Sequence, residues 1–181
     1  VTALGLEPGR YLSVIARAEP ENSLLEIVEG FSRKPRGMKL AVLGKYEDGN
    51  AYHQAVKAAA GNEVMFLGAI YDKKVVQALR FHSAAYVHGH QVGGTNPSLV
   101  EALGAGNAVI AHDNRFNRWV AGPGAAFFDG AAGFATQLDA ILADPTRLDS
   151  MRKASRERFL AEFQWEKILS EYETLLLKYQ K

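Results

Sequence analysis

The sequence predicts an α/β fold: a Rossmann-like, doubly wound parallel sheet of about six strands, followed by C-terminal helices. Short apolar runs alternate along the chain with stretches in which apolar residues recur at helical spacing. The runs are apolar almost without interruption, which is typical of parallel strands covered by helices on both faces. Short links and right-handed crossovers between such units produce a doubly wound sandwich.

The individual elements follow from these runs and from the residues that end them. The predicted strands are residues 11–16, 39–43, 63–67, 84–88, 108–111 and 125–128. The predicted helices are residues 20–32, 51–60, 72–81, 97–105 and 114–120, with helical sequence from residue 131 onward that breaks near Pro145 and Phe163. Asp72 is a predicted N-cap, and Gly61 a predicted helix stop. We expect one domain over residues 1–181.

Composition excludes several classes of function. The chain has 181 residues, 48% of them hydrophobic, with a net charge of +1 and no cysteine. The absence of cysteine excludes disulfides and thiolate metal sites, and the near-neutral charge argues against a nucleic-acid surface. No segment resembles a signal peptide or approaches the roughly 20 apolar residues of a membrane span, so we expect a cytoplasmic protein. The opening lacks Met and is punctuated by Gly and Pro, which suggests a piece of a longer protein.

The loops that follow the strands hold most of the candidate functional residues. In a doubly wound sheet, ligands bind outside the C-terminal ends of the strands. The loops at that edge contain Arg17, Gly44, Gly68, residues 88–97 and residues 112–114. Glycine at such positions lets a ligand approach the backbone.

The most informative of these loops leads into the helix predicted at residues 97–105. Thr95 or Asn96 can serve as its N-cap, and Pro97 suits its first turn. The free N–H groups expected over residues 95–99 form an anion site that suits a diphosphate, and Glu101 lies within reach of a ribose diol. On the residues alone, an ordinary turn with a helix-dipole partner remains an equal alternative. The candidate residues are Gly93, Gly94, Thr95, Asn96, Pro97, Ser98, Leu99 and Glu101.

This loop resembles the signature of the family 4 (group 1) glycosyltransferases of GT-B fold, E-G-F-G-x-x-x-x-E-A-x-A-x-G-x-P-V. Glu101 matches the second Glu of the signature and Gly94 the glycine after the first. Gly93 stands where the family has its first Glu, which is thought to face the donor sugar. The variant VGGTNPSLVEA resembles bacterial polysaccharide-assembly transferases, some of which are rhamnosyltransferases.

Other blocks follow in the family's order, so the resemblance covers about the whole chain. Arg17 matches the Arg that neutralises the donor diphosphate. Asn22 stands in place of the family's Lys, and the resemblance implies that it too contacts the diphosphate. Residues 40–44 and 64–70 match the next two strand-to-glycine blocks. The second of these implies base contacts by Gly68, Ala69 and Ile70. Residues 81–90 match the strand that leads into the signature.

The resemblance implies the donor-binding domain of a retaining glycosyltransferase. It implies a UDP-, dTDP- or GDP-sugar donor, no metal and no other cofactor, because Arg and backbone N–H groups stabilise the leaving diphosphate. The acceptor, a glycan or a lipid-linked glycan of bacterial surface polysaccharide synthesis, would bind an N-terminal domain that this sequence does not contain. No catalytic residue is therefore assigned, and we expect the chain alone to bind nucleotide without transferring sugar.

Two other classes of function stay open at this point. One is another enzyme on the same fold, such as a nucleotide-sugar epimerase or a phosphorylase. The other is a non-catalytic α/β nucleotide-binding module. His88 and His90 are spaced to share a face, and we interpret them as polar lining of a donor cleft or as simple loop packing, rather than as metal ligands.

Two surface features suggest further partners. The basic cluster at residues 33–36 is interpreted as a solvated turn, with peripheral contact to anionic lipid at the inner membrane face as an alternative. Near the C-terminus, apolar residues recur at helical spacing, and we expect part of this stripe to be exposed or to pair with a second copy. Its members are Trp165, Ile168, Leu169, Tyr172, Leu175, Leu176 and Tyr179.

Overall fold

The computed structural model describes residues 1–179 and contains a six-stranded sheet in which every neighbouring pair is parallel. The strand order is β3-β2-β1-β4-β5-β6. This confirms the predicted doubly wound α/β fold. The strands are β1 (Tyr11–Ile15), β2 (Lys39–Leu43), β3 (Val64–Gly68), β4 (Ala85–His88), β5 (Ala108–His112) and β6 (Ala126–Phe128).

Helices cover both faces of the sheet. Alternate residues of each strand point to opposite faces, so every strand contributes side chains to the core on both sides. Leu12 and Val14 contribute to the core under one set of helices, whereas Tyr11 contributes to the core under the other. The first set contains α1 (Leu24–Ser32), α2 (Ala51–Ala58) and α6 (Gly130–Leu142). The second contains α3 (Lys73–Phe81), α4 (Pro97–Gly104) and α5 (Arg115–Ala121). The chain continues with α7 (Pro145–Glu162) and α8 (Trp165–Leu177).

The sequence prediction was wrong about one helix. Residues 20–32 do not form a single helix, because Ser23 has a left-handed backbone with φ of 50°. A 3-10 turn over Pro20–Asn22 precedes it, and α1 begins at Leu24. The break turns the backbone of Asn22 toward the end of β4, where it lies against Gly89.

The strand order places a topological switch point between β1 and β4. From β1 the chain proceeds to β2 and β3 on one side of the sheet, and from β4 it proceeds to β5 and β6 on the other. The loops after β1 and β4 therefore diverge and leave a crevice between them, which is where doubly wound sheets bind ligands.

The C-terminal helix lies largely outside the core. Trp165 is 72% exposed and Leu176 is 66% exposed, and no residue of α8 is fully buried. This confirms that part of the predicted apolar stripe is exposed. Over residues 1–179, none of the helices has the length and apolar character needed to cross a bilayer.

Candidate functional site

A cleft of about 150 Å³ lies at the C-terminal ends of β1 and β4. It is the crevice that the switch point creates, and polar side chains from both loops line it. The lining residues that matter for its chemistry are Arg17, Asn22, His88, Gly89, His90 and Asn96. The sequence prediction thus placed Arg17 and the segment around Asn96 at the correct edge, and the fold brings them into one cleft.

Arg17 contributes an accessible positive charge to the cleft. Its side chain is 78% exposed, and its charged partner is Glu21, at 3.9 Å between Nη2 and Oε1. An exposed ion pair of this length contributes little to stability. The guanidinium is therefore available to a ligand anion.

The loop before α4 offers backbone donors to the same cleft, though fewer than expected. Asn96 is the N-cap, and its Oδ1 accepts from the Ser98 N–H at 2.9 Å. The Leu99 N–H donates to the Asn96 carbonyl at 3.1 Å, and Pro97 has no N–H. The prediction of free donors throughout residues 95–99 is therefore wrong at Pro97, Ser98 and Leu99. Within the described chain, the N–H groups of Gly94, Thr95 and Asn96 make no hydrogen bond.

Glu101 is held by a partner that sequence reasoning missed. Arg80 of α3 is 8% exposed at its side chain, and its Nη2 lies 2.7 Å from Oε2 of Glu101. The same Nη2 donates to Oγ of Ser98 at 3.0 Å. The carboxylate remains 58% exposed, so Arg80 orients it without removing it from solvent. The sequence of α3 also contains Lys73, Lys74 and Gln77, so nothing in it distinguishes Arg80 as the partner of Glu101.

The Ser98 side chain is hydrogen-bonded within the protein, as part of the contacts around Arg80 and Glu101, and is not free to bind a ligand. Its hydroxyl lies 2.8 Å from the hydroxyl of Tyr86, which is fully buried on β4. Burial raises the pKa of the Tyr86 phenol, and the hydrogen bond with Ser98 lowers it by less. Tyr86 therefore stays protonated and serves as a fixed hydrogen-bonding group under the helix N-terminus.

Asn22 uses both ends of its amide within the protein. It is 4% exposed, and its Nδ2 donates to the Arg17 carbonyl at 2.9 Å. Its Oδ1 is hydrogen-bonded to Nδ1 of His90. We expected Asn22 to contact the diphosphate, but the structure shows a buried side chain that joins the Arg17 loop to the His90 loop.

The His90 loop is also fixed from the other side of the cleft. The carbonyl of His90 accepts from Nδ2 of Asn114 at 3.0 Å and from Nδ2 of Asn117 at 2.8 Å. Asn114 is at the same time the N-cap of α5. The loop after β4 is thus tied to the chain segments after β1 and β5, which rigidifies one wall of the cleft.

His88, at the end of β4, lines the cleft and is almost completely buried. It is 5% exposed, and its Nε2 has no hydrogen-bond partner within the described structure. Burial, together with His90, lowers the pKa of His88 to about 3. Among residues 1–179, no group of three or more His, Asp or Glu residues is arranged to hold a metal ion.

Gly93 and Gly94 form the thin, exposed part of the loop. Gly93 has φ of +107°, a conformation that residues with a Cβ rarely adopt. This gives a physical reason for glycine where the family signature has Glu, because a side chain there would strain the backbone. Gly94 has no atom within 4 Å of the place where a Cβ would lie.

The predicted base-binding residues lie at the far edge of the sheet. Gly68 ends β3, with φ of +70°, and its carbonyl accepts from the Gly44 N–H at 3.0 Å. Ala69 is exposed, and Ile70 packs against the core beneath α3. β3 is two strands away from β1, which corresponds to roughly 10 Å. Arg17 follows β1 and Gly68 ends β3, so β2 lies between them in the sheet.

Two basic features outside the cleft are structural. Arg36 is not solvated as expected: its side chain is 2% exposed and pairs with Asp139. Lys34 pairs with the same carboxylate at 2.9 Å, so two of the three basic residues of the cluster are tied to α6. Arg118 pairs with Asp113 and lies over the ring of Phe127, so its charge has partners within the protein.

Comparison with known families decides the classification. The family model described as Glycosyl transferases group 1 matches residues 5–158. The chain belongs to the group 1 glycosyltransferases. The match includes β1 to β6 and every residue of the cleft, so the group 1 domain accounts for the candidate site. No curated protein sequence matches the chain.

Solved structures show the same fold at low sequence identity. Sucrose-phosphate synthase from Thermosynechococcus elongatus matches 98% of this chain and 47% of its own, with a TM-score of 0.83 at 20% identity. Anabaena Alr3699/HepE, crystallised with UDP, matches 98% of this chain and 51% of its own, with a TM-score of 0.85 at 15% identity. The chain thus spans about half the length of these two proteins.

A third structural neighbour matches this chain over most of the length of both. It is the C-terminal domain of a group 1 glycosyltransferase, LpcC, from Francisella tularensis. The match covers 91% of each chain, with a TM-score of 0.74 at 17% identity. The fold of this group 1 chain is therefore that of one domain of the larger glycosyltransferases.

Proposed function

We propose that this chain is the donor-binding domain of a retaining glycosyltransferase and holds a nucleoside diphosphate sugar at the β1/β4 cleft. The observation that carries the proposal is the pairing of an exposed cation with free backbone donors in one crevice. Arg17 and Asn96 both line the cleft, and the N–H groups of Gly94 to Asn96 remain unpaired in the described structure. Such a combination favours a diphosphate.

The same groups suit the chemistry of transfer. When the bond between sugar and diphosphate breaks, negative charge develops on the leaving diphosphate. Arg17 and the loop amides would stabilise that charge. We therefore propose a reaction that proceeds without a metal or another cofactor.

The remainder of the donor extends from the cleft toward β3. Glu101 would accept hydrogen bonds from the ribose diol, in an orientation set by Arg80. The backbone of Gly68 to Ile70 would contact the base, because β3 lies roughly 10 Å from β1. The UDP complex of Anabaena Alr3699/HepE, a structural neighbour, supports a nucleotide of this class.

The acceptor and the biological role are proposals that rest on the family resemblance. We propose that a second domain of the same protein binds a glycan or lipid-linked acceptor, in cytoplasmic synthesis of a bacterial surface polysaccharide. We propose a rhamnosyl donor on the resemblance of residues 92–102 to rhamnosyl-type transferases. Without the second domain, the chain should bind nucleotide but transfer no sugar.

Calorimetric titration with UDP, GDP and dTDP tests the donor-binding proposal. We expect one of the three to bind, with Arg17→Ala and Glu101→Ala each weakening its affinity roughly ten- to a hundredfold. Arg33→Ala and Glu29→Ala are matched controls, since both residues are exposed and lie away from the cleft. If none of the nucleotides binds, or if the controls weaken binding equally, the proposal is wrong.

A further inference from the structure

His90 lies at the junction of the two loops that form the cleft. Its Nδ1 is hydrogen-bonded to Asn22 Oδ1, and its carbonyl accepts from two asparagine side chains of the α5 region. The ring is therefore fixed on one side and the backbone on the other. A side chain held in this way presents its remaining polar atom in a defined direction.

The hydrogen bonds of Asn22 determine which nitrogen of His90 carries the proton. Asn22 Nδ2 faces the Arg17 carbonyl, which can only accept, so this end of the amide must be the donor. The other end, Oδ1, is then an acceptor, and His90 must donate to it from Nδ1. In its neutral form an imidazole is protonated at only one nitrogen, so Nε2 of the neutral His90 ring is a hydrogen-bond acceptor.

That acceptor lies beside the glycine loop. A Cβ on Gly93 would be 3.5 Å from His90 Nε2, and Gly93 carries no such atom. In residues 1–179 nothing donates to Nε2. A free acceptor thus borders the open space over Gly93 and Gly94, in the cleft that also contains Arg17.

We propose that His90 Nε2 accepts a hydrogen bond from a hydroxyl of the donor sugar, and that Asn22 is the positioning residue that sets its tautomer. The inference rests on the proposed donor-binding function. The cleft contains two kinds of hydrogen-bonding group. Arg17 and the amides of Gly94 to Asn96 are donors that attract phosphate oxygens, whereas Nε2 is an acceptor and needs a ligand group that donates a proton. An ionised diphosphate has no proton to offer, but a sugar hydroxyl does.

Comparing nucleotide with nucleotide-sugar binding tests the role of His90. The probes are UDP with UDP-glucose, GDP with GDP-mannose, and dTDP with dTDP-rhamnose, and the pair whose nucleotide binds the unsubstituted chain is used. We expect His90→Ala to weaken the sugar nucleotide about fivefold while leaving the nucleoside diphosphate unchanged. His90→Gln, whose Oε1 can replace the acceptor, should retain the sugar preference.

The outcomes separate this inference from the proposed function. If the unsubstituted chain binds no nucleoside diphosphate, the proposed function fails and this inference fails with it. If nucleotide binds but His90→Ala weakens both members of the pair equally, or neither, the inference alone is overturned. Should His90→Ala unfold, His90→Leu, which fills more of the space of the ring but has no acceptor, takes its place in the same comparison.

The tautomer has its own readout in ¹⁵N NMR of the imidazole. We expect the neutral ring of His90 to carry its proton on Nδ1 in the free protein. Asn22→Leu, which keeps the size of the side chain but removes its acceptor, should shift the ring toward the Nε2-protonated form. A proton on Nε2 in the unsubstituted protein would overturn the inference.

Discussion

Arg80 Nη2 and Glu101 Oε2 lie 2.7 Å apart, so an almost buried cation on α3 orients an exposed carboxylate on α4. The pair joins two helices on one face of the sheet at the point where the ribose is proposed to bind. Because Arg80 also donates to Ser98, it fixes the first turn of α4 and Glu101 together. Arg80 therefore supports the proposed donor site although its side chain is almost buried.

A double-mutant cycle measures this relationship. If Arg80 acts by orienting Glu101, Arg80→Met and Glu101→Gln should each weaken nucleotide affinity, and the double variant should be no weaker than the poorer single variant. We expect a coupling of about 1 kcal/mol from calorimetric affinities. Additive losses would show that the two residues act independently.

Gly89 tests how closely the two loops of the cleft approach each other. A Cβ at this position would lie 2.0 Å from the Asn22 carbonyl oxygen and 2.8 Å from Cδ1 of Ile27. Gly89→Ala should therefore destabilise the fold by about 3 kcal/mol, measured by urea unfolding. Gly49→Ala is the control. The added Cβ would have no atom within 4 Å, and we expect the free energy of unfolding to change by less than about 0.5 kcal/mol. Equal stability of the two variants would contradict the packing described.

Gly93 tests whether the missing signature carboxylate can be restored. Because φ at this position is +107°, Gly93→Glu should lower the free energy of unfolding by about 2 kcal/mol. The same strain should displace the loop and weaken nucleotide binding. A stable Gly93→Glu variant with stronger sugar-nucleotide binding would show that the backbone accommodates the family residue without cost.

His88 should make the fold sensitive to mild acid. Its pKa is about 3 in the folded protein and 6.5 in the unfolded chain, so between these values only the unfolded state binds the proton. Stability is therefore lost as pH falls below 6.5, by about 2 kcal/mol at pH 5. His88→Gln should remove this part of the pH dependence, as urea titrations at pH 7 and pH 5 would show. If both proteins lose the same stability over this interval, His88 is not the group responsible.

The exposed stripe of α8 predicts self-association. Leu169 is 61% exposed, and Leu176 and Tyr172 are similarly open to solvent, so a second copy could bury them. Sedimentation should detect a concentration-dependent dimer that Leu169→Lys with Leu176→Lys removes, while thermal stability changes little. A chain that stays monomeric at millimolar concentration would refute this prediction. Tyr179 continues the stripe and is 80% exposed.

The sequence was sufficient to predict the fold and the edge of the sheet that forms the cleft. Apolar runs located all six strands to within a residue or two, because parallel strands that are buried on both faces consist almost entirely of apolar residues. The Asp72 cap and the Pro97 helix start were also correct. These features depend on local sequence, which is why they can be read from it.

Features set by contacts between distant segments could not be predicted in this way. The break at Ser23 accompanies bonds from Gln91 to Glu21 and Ser23, 68 residues or more along the chain. Asn22 was expected to meet the ligand, and its amide instead bonds to His90. Helical periodicity continues through Ser23, so only the tertiary structure reveals the break.

Chemical-shift mapping by NMR tests the central claim most directly, that the β1/β4 cleft holds a nucleoside diphosphate. A ¹⁵N-labelled chain would be titrated with the nucleotide that binds among UDP, GDP and dTDP. We predict that the largest amide shifts occur at Gly94, Thr95 and Asn96, with a second group at Gly68 to Ile70. Shifts confined to another surface, or no shifts with any of the three nucleotides, would contradict the account.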